Sequence, residues 1–95
     1  MTSERSITAA IQKYLKSIGA KAVKIHGGPM SHAGTPDILG AYRGTPLALE
    51  VKKPGGHLSK IQIHELLEWK KAGAIAGKVE SVQDVKNLIE GEPDA

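Results

Sequence analysis

Three residues with complementary chemistry, Asp37, Glu50 and Lys52, lie near the middle of the 95-residue chain. Asp and Glu supply the oxygen ligands that Mg²⁺ prefers, and the ion keeps waters and substrate oxygens as its other ligands. A bound divalent ion lowers the pKa of its water and neutralises charge on a phosphodiester, while a neighbouring lysine can orient or deprotonate that water. The three residue types are therefore sufficient for metal-dependent hydrolysis if the fold brings them together.

Seven elements must position these residues, and the sequence predicts them in the order α-β-β-β-α-β-α. Ile7, Ile11 and Leu15 recur at helical spacing, and Ser59 with Gln62 forms a capping box at the start of a second helix. Because that helix connects two strands, it favours their parallel pairing. We expect a single α/β domain over residues 1–95 with a frayed acidic tail at 91–95. The predicted helices cover 3–18, 59–72 (with Ile63, Leu66, Leu67 and Lys70 on one stripe) and a short segment after Ser81, and the predicted strands cover 20–26, 37–42, 47–52 and 74–80.

The predicted hairpin of residues 37–52 would gather the three residues on one face. Side chains alternate between the two faces of a strand, so Glu50 and Lys52 point the same way. With a turn centred on Gly44-Thr45, we expect Asp37 to lie opposite Lys52 and diagonal to Glu50 on that face. Such a cluster is either a catalytic site or an exposed group of cross-strand ion pairs, which contributes little to stability.

The composition fits a basic globular domain and excludes several kinds of site. Thirteen Lys and Arg against ten Asp and Glu give a net charge of +3, and residues 1–89 carry 13 basic against 7 acidic residues, or +6. A basic small domain suits nucleic acid. The absence of cysteine excludes disulfides, thiol nucleophiles and cysteine-based metal sites, and the four histidines lack zinc-site spacing. No apolar run approaches the ~20 residues of a membrane span, and three aromatic residues are too few for a base-stacking platform.

The residues around the cluster resemble the PD-(D/E)XK nuclease motif, here Pro36-Asp37 followed by Glu50-Val51-Lys52. The longer pattern is similar to the VRR-NUC (virus-type replication-repair nuclease) family, in particular to its small stand-alone phage and bacterial members. That pattern reads Gly34-x-Pro36-Asp37, Leu49-Glu50-Val51-Lys52 and Pro54-Gly55-Gly56-x-Leu58-Ser59-x-x-Gln62. The resemblance covers about residues 4–80 and implies a restriction-endonuclease-like αβββαβ core, with a mixed sheet flanked by helices.

The resemblance also implies a role for each matching residue. Asp37 and Glu50 would bind Mg²⁺, for which Mn²⁺ would substitute, with the backbone carbonyl of Val51 as a third ligand. Lys52 would be the catalytic lysine, and Gln62 would be an additional active-site residue. Many relatives also carry a glutamate on the first helix near the metal, which makes Glu4 a candidate ligand. Contacts with nucleic-acid phosphates are expected from the loop after the hairpin and the next helix N-terminus, at Lys53, Gly55, Gly56, His57 and Lys60.

The function implied is that of a metal-dependent DNA endonuclease, selective for branched DNA such as Holliday junctions. Because one small unit presents one site, we expect a homodimer whose two-fold axis matches the symmetry of a junction. We expect no membrane partner, no small-molecule cofactor beyond the divalent ion, and a cytoplasmic location in a bacterium or a phage-infected host cell. Two alternatives remain open, a non-catalytic DNA-binding accessory module on a nuclease fold and an RNA-directed nuclease.

Overall fold

In the computed structural model, which describes residues 3–26 and 32–91, a four-stranded mixed sheet lies between helices. The elements are α1 (Glu4–Ser17), β1 (Lys21–Lys24), β2 (Ile38–Tyr42), β3 (Thr45–Val51), α2 (Lys60–Lys71), β4 (Ile75–Val79) and α3 (Val82–Glu90). The strand order is β1-β2-β3-β4, with two antiparallel pairs followed by the parallel pair β3–β4. The predicted element order and the predicted parallel pairing are therefore confirmed. Most of the predicted acidic tail, residues 92–95, lies outside the described residues.

A serine caps each of the three helices. The hydroxyls of Ser3, Ser59 and Ser81 each accept a hydrogen bond from the backbone N–H three residues on, an interaction that typically contributes about 1 kcal/mol. At α2 the capping box is complete, because the Gln62 side chain accepts a hydrogen bond from the Ser59 N–H at 2.9 Å. These caps place Glu4 and Gln62 in the first turns of their helices. No described helix is long and apolar enough to cross a membrane.

The two faces of the sheet are covered by different helices and different side chains. Helices α1 and α3 cover one face, and α2 covers the other, which makes a three-layer sandwich. Large aliphatic side chains fill the first interface: Ile7, Ile11, Leu15, Ile38, Leu47, Leu49, Val51, Ile75, Val79 and Val85. Smaller residues dominate the second interface, where Ala48, Ala74 and Ala76 pack with Leu66, and Leu39, Leu58 and Trp69 lie against them.

The buried side of α2 differs from the stripe suggested by the sequence. Leu66 is buried, but Ile63 and Leu67 are 45% and 55% exposed. Trp69, three residues after Leu66, packs against the small second interface. The sequence groups Ile63 and Leu67 with Leu66 because all three are apolar, but the alanine-rich surface of the sheet accommodates only one narrow side of the helix.

The hairpin register differs from the predicted one by two residues. Arg43 and Gly44 form a two-residue turn with positive φ angles of 49° and 81°, the backbone geometry of a tight β-hairpin. Strand pairing therefore starts directly beside the turn, at residues 42 and 45. Because the shift is even, Asp37 stays on the predicted face, but the register aligns it with Glu50. The predicted placement of Asp37 opposite Lys52 is wrong.

Candidate active site

Asp37 lies just before β2, where both neighbouring strands hold it. Its Oδ2 accepts a hydrogen bond from the Val51 N–H at 2.9 Å, and its Oδ1 lies 3.4 Å from Lys24 Nζ. Its backbone carbonyl accepts a hydrogen bond from the Ile25 N–H at 2.7 Å. Asp37 thus connects the ends of β1 and β3, and this fixes its carboxylate at one end of the sheet.

The segment before Asp37 explains why a glycine and a proline precede the carboxylate. Gly34 has a φ of 80°, which favours glycine, and a Cβ there would lie 2.8 Å from Ile61 Cγ1 and 3.0 Å from the Ile61 carbonyl oxygen. The segment therefore packs directly on the first turn of α2. Pro36 is fully buried and has a restricted φ. Gly34 and Pro36 together set the position from which Asp37 enters the sheet.

Glu50 is only 4% exposed, although it is charged and lies in the middle strand β3. The interpretation of the cluster as exposed ion pairs is therefore wrong for Glu50. Burial, followed by the hydrogen bond and negative charge of Asp37, raises the pKa of Glu50 to about 8, against the opposing charges of Lys52 and Lys24. A protonated Glu50 can donate to the Asp37 carboxylate, so the two groups share one proton near neutral pH.

The pKa of Asp37 is shifted in the opposite direction to that of Glu50. Burial opposes its ionisation, but the hydrogen bonds from Glu50 and the Val51 N–H, together with the charge of Lys24, hold the pKa of Asp37 below its ordinary value. The pair therefore consists of one carboxylate and one carboxylic acid. Because carboxylate ligands must be deprotonated to bind a metal ion, a divalent cation would displace the shared proton.

The donor set fits a magnesium-type ion rather than a zinc-type ion. Across residues 3–26 and 32–91, no group of three or more His, Cys, Asp or Glu side chains could hold a metal. An ion beside Asp37 and Glu50 would need backbone, water and substrate oxygens as further ligands, as Mg²⁺ prefers. The N–H and carbonyl of one strand residue point toward the same neighbour. Since the Val51 N–H bonds to Asp37, the Val51 carbonyl also faces that side.

Lys52 lies two residues beyond Glu50, at the end of β3, and a glycine loop packs over it. A Cβ on Gly56 would lie 3.1 Å from the Cβ of Lys52. Lys78 holds this loop, because its Nζ donates to the Gly56 carbonyl at 3.1 Å and pairs with Glu80 at 3.1 Å. Lys78 was not among the site residues predicted from the sequence. Its place near the site follows from the parallel pairing of β3 and β4, which sets Lys78 beside Glu50.

The residues predicted to contact phosphate lie around the same loop. Gly56 is half-buried, whereas Lys53, Gly55, His57 and Lys60 are exposed. Lys60 begins α2, where free backbone N–H groups favour an anion. These positions are accessible to a nucleic acid near Lys52, and their contacts with phosphate stay predictions.

Gln62 is half-buried in the first turn of α2, where its side-chain oxygen is engaged by the capping box. The structure therefore assigns Gln62 a structural contact, and its predicted part in the active site stays a prediction. Glu4 is exposed at the start of α1 and faces the same cleft as Asp37. It does not join Asp37 and Glu50 in a group of three ligands, so its role as a metal ligand also stays a prediction.

The cleft beside Asp37 has a volume of about 550 Å³ and separates α1 from the end of β1. It is lined by Glu4, Arg5, Thr8, Ala9, Gln12, Lys24, His26 and Asp37. Lys24 was not singled out from the sequence, because it falls inside the predicted strand 20–26 and belongs to no motif. The cleft gives Asp37 a route to solvent.

Comparison with solved structures finds a similarity that extends over nearly the whole chain. No protein-family model and no curated protein matches the chain. A solved structure described as a "VRR_NUC domain" is similar with a TM-score of 0.77 and 26% sequence identity. The alignment covers 96% of this chain and 98% of the other, so the likeness extends beyond a shared fragment and includes the elements around Asp37 and Glu50.

Proposed function

We propose that this chain, whose fold is similar to that of a VRR_NUC domain over nearly its whole length, is a nuclease of the VRR-NUC type, a metal-dependent endonuclease that hydrolyses phosphodiester bonds in DNA. The pair formed by buried Glu50 and half-buried Asp37 carries the proposal. Burying the Glu50 carboxyl group beside a second carboxyl group costs free energy, and a divalent cation would offset the charge of the pair. Perturbed carboxyl groups beside an accessible cleft are typical of catalytic sites.

Each residue of the proposed site has a distinct task. Asp37, Glu50 and the Val51 carbonyl would hold Mg²⁺, for which Mn²⁺ would substitute. When bound, the ion would supply a more acidic water and would neutralise charge on the phosphodiester. Lys52 orients or deprotonates the attacking water and stabilises the developing anion. The basic loop of residues 53–57 and the N-terminus of α2 position the phosphates of the substrate.

The proposed substrate is branched DNA, and the proposed active form is a homodimer. A junction offers two equivalent strands, which two sites related by a two-fold axis can cut. Helix α2 exposes Ile61, Ile63 and Leu67, which supplies apolar surface of the kind that dimer interfaces bury. Light scattering should give the mass of two chains, and a monomer that still cleaves junctions would contradict the dimer.

The test is cleavage of a labelled Holliday junction with Mg²⁺ or Mn²⁺, and with a chelator added. We expect Lys52→Ala to slow cleavage by about 10²–10⁴-fold, because it removes the group that acts on the attacking water. Asp37→Asn should cause a similar loss through weaker metal binding. Lys16→Ala, in the last turn of α1, removes an equal charge away from the site and should cleave like the wild type.

The outcome also separates the competing functions. Equal cleavage by the wild type, Lys52→Ala and Asp37→Asn would contradict the catalytic assignment. Tight junction binding without any metal-dependent cleavage would favour the accessory DNA-binding module. Cleavage of a matched RNA substrate, but not of the DNA, would favour an RNA-directed nuclease.

A further inference from the structure

Lys24, at the end of β1, contacts a carboxylate that the proposed function assigns to the metal. Its Nζ lies 3.4 Å from Asp37 Oδ1 and donates to the Ile25 carbonyl at 3.2 Å. The side chain of Asp37 is 27% exposed, so this ion pair is only partly screened by solvent. An ammonium group at this position offsets the negative charge of the pair, and it must share Asp37 with any divalent ion that binds there.

The same lysine lines the cleft between α1 and β1. Its side chain is 35% exposed, so the ammonium group is accessible from that cleft. Arg5, Gln12 and His26, which also line the cleft, can donate hydrogen bonds as well. Side chains of these types commonly contact phosphate oxygens in nucleic acids. The flexible stem of a lysine lets its ammonium group change partners while the backbone stays in place.

We propose that Lys24 is a displaceable cation, which balances Asp37 before a divalent ion binds and contacts a phosphate of the DNA strand once the ion is present. This inference rests on the proposed nuclease function and extends it. It identifies the cleft lined by Arg5, Gln12, Lys24 and His26 as the path of the DNA backbone beside the cleaved bond.

The proposal predicts two effects of opposite sign. Removing the charge of Lys24 strengthens metal binding, because the ion no longer meets a positive group beside Asp37. The same change weakens DNA binding, because one phosphate contact is lost. A lysine that only held Asp37 in place would have a different signature, since its removal would disturb the carboxylate and weaken metal binding.

Metal binding is measured with Mn²⁺ alone by isothermal titration calorimetry, without DNA. Lys24→Gln should bind Mn²⁺ about three- to tenfold more tightly than the wild type, the size expected for a partly exposed charge. Lys21→Gln is the matched control, since Lys21 lies on the same strand and pairs with residue 41, away from Asp37. Lys21→Gln should bind Mn²⁺ like the wild type. Unchanged or weaker binding by Lys24→Gln would overturn the proposal.

DNA binding is measured in a Lys52→Ala background with Mg²⁺, in which cleavage is expected to be slow enough that most of the DNA stays intact during the measurement. Adding Lys24→Gln should weaken binding and reduce the slope of log K against log salt by about 0.9, the value for one phosphate contact. Adding Lys21→Gln should leave that slope unchanged. Equal slopes in the Lys24 and Lys21 variants would overturn the phosphate contact.

A further variant separates failure of this inference from failure of the proposed function. If Asp37→Asn binds Mn²⁺ as tightly as the wild type, the proposed function itself is wrong. If Mn²⁺ binding depends on Asp37 while Lys24→Gln behaves like Lys21→Gln, the nuclease function stands and only the Lys24 inference is overturned. Lys24→Met, which keeps the aliphatic stem, replaces Lys24→Gln if the latter does not fold.

Discussion

The two sides of strand β3 serve different purposes, although their residues alternate along one short segment. Leu47, Leu49 and Val51 point into the large aliphatic core under α1 and α3. Glu50 points to the opposite face, as Ala48 does in the packing against α2. One face is built from side chains whose burial stabilises the fold, and the other carries a carboxyl group whose burial costs free energy.

This difference indicates how so small a domain can contain a buried carboxyl group beside a second carboxyl group. Burying one large aliphatic side chain contributes about 1.5–3 kcal/mol, and ten such residues form the main core. That core offsets the cost of keeping Glu50 beside Asp37. Substitutions on the α1/α3 face should therefore change stability, whereas substitutions around Glu50 should change chemistry and its dependence on pH.

The largest expected effect on stability comes from Leu49→Ala, in the aliphatic core. Leu49 is fully buried, so the change should lower the free energy of unfolding by about 3–4 kcal/mol through lost burial and a cavity. Leu66→Ala, on the α2 face, should cost about 2 kcal/mol, because Leu66 packs on a shallower, alanine-rich surface. Urea denaturation monitored by circular dichroism measures both values. A larger loss for Leu66→Ala would contradict the comparison of the two faces.

An intermediate effect is expected from Glu50→Gln, with a size that depends on pH. The pKa of Glu50 is raised to about 8 from an ordinary value of 4.5, so the folded protein holds more protons than the unfolded chain between those values. The stability contributed by protonated Glu50 is complete below about pH 4.5 and is lost as the pH rises through about 8. The amide in the variant stays neutral at every pH, so at pH 9 in a chelator the variant should exceed the wild type by on the order of 1–2 kcal/mol.

The measurement is the free energy of unfolding from pH 5 to pH 9. The difference between the two proteins should be small near pH 5 and grow as the pH rises. Glu90→Gln, at the exposed end of α3, is the control and should follow the wild type throughout. Mg²⁺ should stabilise the wild type at pH 9 more than Glu50→Gln, because the variant lacks one carboxylate ligand. Parallel curves for the wild type and Glu50→Gln would show that Glu50 does not hold the proton.

The order of elements can be predicted from the sequence because the signals for it are local. Serine caps and helical spacing predict α1 at 3–18, and the structure has Glu4–Ser17. The predicted turn is wrong because Arg43 adopts a positive φ, which residues other than glycine seldom do. Pro46, which pairs within the sheet, also resembles a loop residue. Because the predicted register is wrong by two residues, the predicted face of Asp37 is correct, but its predicted cross-strand partner is wrong.

The burial of Glu50 could not be predicted from the sequence, because it depends on packing between elements that are distant along the chain. Alternation along β3 indicates that Glu50 shares a face with Lys52 but gives no sign of what covers that face. Glu50 is nevertheless buried, on the face where Ala48 packs in the cluster of Leu66 from α2. Lys24 reaches Asp37 only through the pairing of β1 with β2, and its sequence neighbours carry no motif.

The smallest expected effects separate the capping contact of Gln62 from its predicted role in the active site. Ser59→Ala and Gln62→Ala each remove half of the capping box and should lower the free energy of unfolding by about 0.5–1 kcal/mol. Gln62→Glu keeps an acceptor at this position and suits the helix dipole, so it should retain the stability of the wild type. Thermal denaturation of the three variants measures these changes in stability.

Cleavage of a labelled Holliday junction then tests the predicted role of Gln62 in the active site. If Gln62 acts at the active site, both Gln62→Ala and Gln62→Glu should cleave at least about tenfold more slowly, because neither can present the amide to the metal-bound water or the substrate. Ser59→Ala should cleave like the wild type, since it weakens the cap and leaves that amide intact. Normal cleavage by Gln62→Glu would limit Gln62 to the cap. The α2 face would then contribute Glu50 and Lys52 to the chemistry, with its first helical turn serving only to hold the segment before Asp37.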